Sequence, residues 1–216
     1  MGPAEVAAWS ILGTLWDVFE DITESIADAS EVRVGVLLGN GKPGMAKKSA
    51  HKSIFIGFVF ALVSTSCLFI AGDSLSSWLT VDPTLQMLIN ELIPLFGLGN
   101  IVLTMGTMAW TIVGAQGRYR LSTAIGVAGS WLITLPLAAV FTIALKFNLQ
   151  GQTAAVVIGY MVSGTVTNVV LLQSDWEALS KKVIELNKEE DYDSDDESGS
   201  SSSSADVNSP PRPDAS

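Results

Sequence analysis

The sequence has almost none of the residues on which thiol or imidazole chemistry depends. It contains one cysteine and one histidine in 216 residues, so an intramolecular disulfide is excluded. Cys67 is flanked by apolar residues and is predicted to be a buried, reduced thiol. A metal-ligand cluster, a catalytic triad and a phosphate-binding P-loop are also missing. We therefore expect that the protein is not an enzyme and that it binds no metal, no cofactor and no nucleic acid.

Charged residues are scarce as well. Only 16% of the chain is charged while 48% is hydrophobic, and the mean hydropathy is +0.40. The net charge of −10 is concentrated at one end, because residues 189–216 hold nine acidic residues and one arginine. The remainder is nearly neutral and too apolar for an ordinary soluble domain.

Long uncharged runs divide the chain. A helix needs about 20 apolar residues to cross the hydrocarbon core of a bilayer, and such runs occur near residues 53–72, 92–115, 121–145 and 153–174. Glycine and proline inside them are tolerated in membrane helices. The sequence therefore predicts an all-α, polytopic membrane protein whose transmembrane region is residues 1–174, with about five transmembrane helices if a first span near residues 8–38 is included.

That first span is less certain, because it begins apolar and then becomes acidic. At helical spacing its carboxylates gather on one face; they are Asp17, Glu20, Asp21, Glu24, Asp28 and Glu31. An amphipathic helix lying on the membrane would show the same pattern. We favour crossing, because six acids lying against an anionic inner leaflet would be repelled.

Loop charges predict the orientation. Nine lysines and arginines fall at residues 40–52, at 116–120 and after 174, whereas the loops at 73–84 and 146–152 hold one. The positive-inside bias places the basic loops on the cytoplasmic side. The C-terminus is therefore expected in the cytoplasm, and His51, in a basic loop, is expected at the membrane interface.

The stretch EVRVGVLLGNGKPGMAKKSA resembles the VRVGNxLGAGxxxxA signature of the multidrug and toxic compound extrusion (MATE) family. The positions in register are Val32, Arg33, Val34, Gly35, Leu38, Gly39, Gly41 and Ala46. Two later segments, GAQGRYR and TLPLAA, fit the family as well. The resemblance covers about residues 4–174 and implies helices eight to twelve of twelve, the C-terminal part of such a transporter.

This resemblance implies cation-coupled antiport, with H+ or Na+, that exports organic and often cationic solutes across the plasma membrane or an internal membrane such as the vacuole. Helices one to seven of the family are absent. The family usually has an acid in its tenth helix, where this chain has only Asn100, with Glu91 at the outer end, and it has Val36 where asparagine is usual. These departures concern the ion-coupling site more than the fold.

The acidic face of the first span is where we expect the transport chemistry. Ionisable groups at membrane depth persist mainly where they face water, a proton relay or a cationic ligand. Competition between protons and a cationic solute for one set of carboxylates is sufficient for antiport. The coupling candidates are Asp17, Glu20, Asp21, Glu24 and Asp28.

The signature itself has a simpler structural explanation. In GNGKPG the glycines Gly39 and Gly41 allow a tight turn between two helices, with Gly35 one turn earlier. Arg33 is a candidate gate residue that could pair with Glu31 or another carboxylate. Asn100 and Trp110 are candidates for lining a solute cavity, and ordinary helix packing is the alternative for Trp110.

Beyond residue 174 the chain leaves the membrane. Residues 175–190 show apolar residues at helical spacing and are predicted to form a juxtamembrane amphipathic helix. Residues 191–216 are acidic and serine-rich and are predicted to be disordered. Two alternatives to a transporter stay open: a truncated or non-transporting membrane subunit, and a related lipid-linked oligosaccharide flippase, which the VRVG signature disfavours. Transport would need self-association or the missing N-terminal lobe.

Overall fold

The computed structural model describes residues 3–144 and 149–187. The predicted disordered tail, residues 191–216, lies outside the described residues. Within them the chain is helical and contains no strand, which confirms the predicted all-α fold class. The helices are α1 (Pro3–Gly39), α2 (Pro43–Leu79), α3 (Pro83–Ala115), α4 (Tyr119–Gly129), α5 (Leu135–Ala139), α6 (Leu149–Leu172) and α7 (176–187).

Four helical segments are long and apolar enough to cross a membrane. They are Pro43–Gly72, Pro83–Ala115, Tyr119–Ile143 and Leu149–Leu172, and they correspond to the four uncharged runs of the sequence. The helix α1 is 37 residues long but is not among them, because it carries Glu5 in addition to the six acidic residues of its acidic face. Its crossing of the membrane stays a prediction.

Prolines and a short polar side chain mark where the long helices begin. Pro43 and Pro83 occupy the first turns of α2 and α3, where a missing N–H costs nothing and the fixed φ suits the helix. Asp82 caps α3, since its carboxylate accepts a hydrogen bond from the Thr84 N–H at 2.8 Å. Because α2 begins at Pro43, it starts ten residues before the uncharged run at residues 53–72 and includes the basic residues that precede that run.

Irregular turns interrupt some of the helices. Gly72 kinks α2 with φ 40° and ψ −126°, a conformation that other residues rarely adopt. A π-helical turn, Ser130–Thr134, joins α4 to α5 and immediately precedes Pro136. In this turn the Leu135 N–H reaches the Ser130 carbonyl, five residues back, which is the hydrogen-bond pattern of a π-helix.

The central helix is α3, which packs against α1, α2 and α6. Two apolar clusters hold the bundle together. The inner core lies at the end that carries the basic loops and contains Val34, Leu38, Ala46, Ala50, Ala109, Ile112, Val113, Leu171 and Trp176. The outer core lies at the opposite end and contains Ala8, Leu12, Leu68, Ile89, Leu92, Ile93, Phe96 and Leu149.

The prediction that Cys67 is buried is wrong. Its side chain is exposed in the structure, because α2 turns Ser64, Thr65 and Leu68 into the bundle instead. An apolar neighbourhood in a membrane helix fits a lipid-facing position as well as a core position. Hydropathy alone therefore does not distinguish the two.

The approach of α3 to α6 depends on two glycines. A Cβ atom added to Gly164 would lie 3.1 Å from the Cα atom of Gly106 and 3.6 Å from its backbone nitrogen. These neighbours are backbone atoms, so a side chain at Gly164 would push the helices apart. Small residues allow this kind of close backbone approach in membrane bundles.

We expect the substitution Gly164→Leu to destabilise the bundle by about 1–3 kcal/mol, the usual range for overpacking. The measurement is the thermal midpoint of the purified chain in detergent. Gly126→Ala is the control, because a Cβ at Gly126 meets nothing within 4 Å. Equal midpoints for Gly164→Leu and the unmodified chain would show that α3 and α6 do not meet at these glycines.

Candidate functional site

The face of α1 that packs into the bundle lies directly beside its acidic face. Thr23, Ala27 and Val34 are almost fully buried, and the hydroxyls of Thr23 and Thr104 are hydrogen bonded at 3.3 Å, which ties α1 to α3. At 3.6 residues per turn the acid closest to this packed face is Glu20, and the one farthest from it is Asp21. The rotation of α1 therefore decides which carboxylates face the bundle.

Three carboxylates of α1 line the first cavity, which has a volume of ≈ 390 Å³. Glu20, Glu24 and Asp28 form one wall of this cavity. The rest of the lining comes from α3, α4 and α6, and it includes Thr107, Trp110, Gly126, Tyr160, Ser163 and Thr167. The cavity therefore combines carboxylates, hydroxyls and two aromatic rings.

A second cavity of ≈ 290 Å³ lies toward the outer end. Aromatic and apolar side chains dominate it, and Asp17 contributes a carboxylate. The ring of Trp16 meets Phe96 edge to face at 4.8 Å between centroids and stacks on Tyr160 at 6.4 Å. A Cβ at Gly99 would lie 2.7 Å from Trp16, so this glycine makes room for the indole.

Glu20 and Tyr160 line both cavities. These two side chains, with Trp16 stacked on Tyr160, lie between the second cavity and the first cavity. A solute that passes from one cavity to the other therefore passes a carboxylate and a phenol.

The structure brings together some of the predicted coupling residues and not others. Glu20, Glu24 and Asp28 share the first cavity, and Asp17 lies in the second with Glu20. Asp21 is exposed and lines neither. Asp21 lines neither cavity because it lies at the edge of the acidic face that is farthest from α3.

Of the two predicted cavity-lining residues, Trp110 lines the first cavity and Asn100 lines neither. The side chain of Asn100 instead faces α2. Its Nδ2 donates to the hydroxyls of Ser64 at 2.8 Å and Thr65 at 3.0 Å. Asn100 therefore joins α2 to α3, and the prediction for its position is corrected by this geometry.

The signature residues lie at the inner end, away from the carboxylates that line the cavities. Gly41 has φ 67°, which confirms that the turn after α1 uses a left-handed glycine. Gly35 and Gly39 line a third, open cavity of ≈ 790 Å³ that also includes Glu31. Arg33 is exposed and forms no ion pair with Glu31 within the part of the chain that the structure describes. A gating role for Arg33 stays a prediction.

The helix α7 packs beneath this turn. The Ser180 hydroxyl donates to the Leu38 carbonyl at 2.7 Å, and Ile184 lies 3.8 Å from the position of a Cβ at Gly41. Trp176 is 6% exposed within the inner core. The amphipathic segment is thus helical over residues 176–187 and covers the inner end of the bundle.

Sequence reasoning missed Tyr160, Ser163 and Thr167, all on α6. Their spacing of three and four residues puts them on one helical face, and that periodicity was the only available signal. Because such a polar face is weak within an apolar span, it did not distinguish a cavity wall from helix packing.

We predict that the first cavity holds water. In a Cys67→Ser background, Glu24→Cys should react rapidly with a charged, membrane-impermeant thiol reagent, because thiolate chemistry needs an aqueous path. The neighbouring control Thr23→Cys should react much more slowly, since Thr23 is 1% exposed. Equally slow labelling at both positions would show that Glu24 faces lipid or protein.

Comparisons with known proteins agree with this architecture. An uncharacterized transporter of Schizosaccharomyces pombe is 26% identical over 83% of this chain and 33% of its own length. Human multidrug and toxin extrusion protein 1 is 20% identical over 82% of this chain and 31% of its own. The chain thus spans about a third of the length of these curated relatives.

The fold also has a counterpart among solved structures. The crystal structure of the eukaryotic MATE transporter AtDTX14 superposes with a TM-score of 0.81 at 19% identity, over 84% of this chain and 41% of that one. Residues 1–140 match the family described as MatE, which covers more than half of the chain. The chain therefore belongs to the MatE family.

Proposed function

We propose that this chain forms part of a cation-coupled exporter of organic, often cationic, solutes, and that its first cavity is the cation site. The observation that carries the proposal is the presence of Glu20, Glu24 and Asp28 around one cavity with Trp110 and Tyr160. Its ≈ 390 Å³ falls in the range of sites for small organic molecules.

The chemistry of the lining fits a cation with an apolar body. Carboxylates attract the charge, and the faces of tryptophan and tyrosine attract cations through their quadrupoles. Protonation of a carboxylate removes the attraction, so protons and a cationic solute compete for the same groups. A proton gradient can therefore drive release of the solute, and Na+ could act in the same way.

The relatives support transport as the activity. The human relative is named a multidrug and toxin extrusion protein, and the yeast relative is named a transporter. With four helices able to cross a membrane, the chain is an integral membrane protein. The coupling ion, the solute and the particular membrane are part of the proposal.

We further propose that the chain corresponds to helices eight to twelve of a MATE transporter, with α1 crossing from outside to inside and the C-terminus in the cytoplasm. Alternating access generally needs two units that rock about a central site. The second unit would be an N-terminal lobe or a second copy of this chain.

An alternative function is a membrane subunit without transport of its own. Its supporting observation is that the chain spans about a third of its relatives' length. A binding assay and a transport assay on the same preparation separate this alternative from the first proposal.

The test begins with binding of a fluorescent organic cation to the purified chain. We expect Glu24→Gln to weaken binding about tenfold or more, since an interaction with a charged group contributes roughly 1.5–3 kcal/mol. Asp21→Asn is the matched control, because it removes one charge from the same helix but lines neither cavity. Binding should also weaken as the pH falls, because protonation neutralises the carboxylates.

Uptake of the same dye into vesicles under an imposed pH gradient is then measured. Gradient-driven uptake that is lost in Glu24→Gln and kept in Asp21→Asn supports transport by this chain. Binding with the same mutant pattern but without uptake favours the subunit without transport. If Glu24→Gln and Asp21→Asn bind the dye equally well, the first cavity is not the cation site.

A further inference from the structure

A groove opens between α2 and α6 at the inner end of the bundle. It encloses a cavity of ≈ 230 Å³, and three of its lining residues, Ala50, Leu171 and Trp176, belong to the inner core. Its walls are mostly apolar, and the side chains that form them include Ile54, Leu171, Leu172 and Trp176. This groove is separate from the two cavities that involve the carboxylates of α1.

Two polar side chains also line the groove. The amide of Asn168 is occupied, since its Nδ2 donates to the carbonyls of Gly164 at 2.9 Å and Met105 at 3.3 Å. His51 donates from Nδ1 to the Lys47 carbonyl at 2.7 Å, which directs its other ring nitrogen away from the helix. His51 therefore presents one ring nitrogen at the wall of the groove.

The charge beside the groove is positive. Residues 32–72 contain no acidic residue and include Lys42, Lys47, Lys48 and Lys52. Lys47 lies three, four and seven residues before the groove positions Ala50, His51 and Ile54, so helical periodicity puts it on the groove's side of α2. Lys48 and Lys52 lie on other sides of the same helix.

Two acids flank Trp176 in the sequence, on the α7 side of the groove. Asp175 is engaged as a helix cap, because its Oδ1 accepts hydrogen bonds from the N–H groups of Glu177 at 3.1 Å and Ala178 at 3.2 Å. Glu177 is exposed. The α2 wall, which carries Lys47 and His51, is thus the cationic one.

We propose that this groove binds one anionic phospholipid of the inner leaflet. Lys47 holds the phosphate beside His51, and an acyl chain lies along Ile54, Leu172 and Trp176. An apolar groove with a basic group at one end is complementary to both parts of such a lipid, the acyl chain and the charged phosphate. Anionic lipids are enriched in the cytoplasmic leaflet, on the side where the basic loops place this end of the bundle.

The test uses the fluorescence of Trp176 in the full chain. The chain is placed in phosphatidylcholine nanodiscs that contain increasing fractions of phosphatidylglycerol brominated on one acyl chain. Bromine quenches nearby tryptophans, and the contribution of Trp176 is the difference between the chain and its Trp176→Phe variant. We expect this contribution to be quenched at lower fractions of brominated phosphatidylglycerol than of brominated phosphatidylcholine.

Two single-charge variants locate the headgroup. Lys47→Gln should lower the apparent affinity for phosphatidylglycerol about fivefold, as expected for loss of one basic contact to an anionic lipid, and His51→Gln should lower it by less. Lys48→Gln removes the same charge from another side of α2 and should leave the quenching curve almost unchanged. These side chains are exposed, so the variants should fold normally.

Three results would overturn the proposal. The first is equal quenching of Trp176 by the two brominated lipids, which would mean that the groove takes any acyl chain. The second is an equal effect of Lys47→Gln and Lys48→Gln, which would mean that the preference for phosphatidylglycerol comes from general surface charge. The third is displacement of the lipid by soluble glycerol phosphate, which would mean that the headgroup alone is bound.

Discussion

The presence of carboxylates in an otherwise apolar bundle is the constraint on which the rest of this structure depends. A charge surrounded by hydrocarbon costs several kcal/mol, so a helix that carries six acids between residues 17 and 31 is stable in the membrane only if they reach water or a cation. The packed face of α1 lies beside its acidic face, and Glu20 stands at the boundary between them. Packing of α1 against α3 therefore turns Glu20, Glu24 and Asp28 toward a cavity.

Glycine supplies the space that those carboxylates need. Gly106 and Gly164 let α3 and α6 approach closely, and the same two residues line the first cavity together with Gly126. A larger side chain at any of these positions would occupy the cavity, and at Gly164 it would also separate the helices. Close helix packing and an open site are usually opposed, but here residues without side chains provide both.

Much of the fold could be predicted because its signals are local. Uncharged runs identify the four long helices, and the spacing of the acids identifies the polar face of α1. The rotation of each apolar helix about its own axis is not local, since every face of such a helix is compatible with hydrocarbon. That is why the positions of Cys67 and Asn100 were misjudged, and why Tyr160 was not recognised as the residue shared by two cavities.

The length of α1 links the two ends of the molecule. Its carboxylates near the middle and the signature residues at its inner end belong to one continuous helix, Pro3–Gly39. The Leu38 carbonyl at that end accepts the hydrogen bond from Ser180 of α7, and Leu38 and Trp176 share the inner core. A rigid movement of α1 that changed the first cavity would therefore either break this contact or carry α7 with it. The signature turn is thus linked to the acidic face through the stiffness of the helix, although no signature side chain lines either of the cavities that the carboxylates of α1 line with Tyr160.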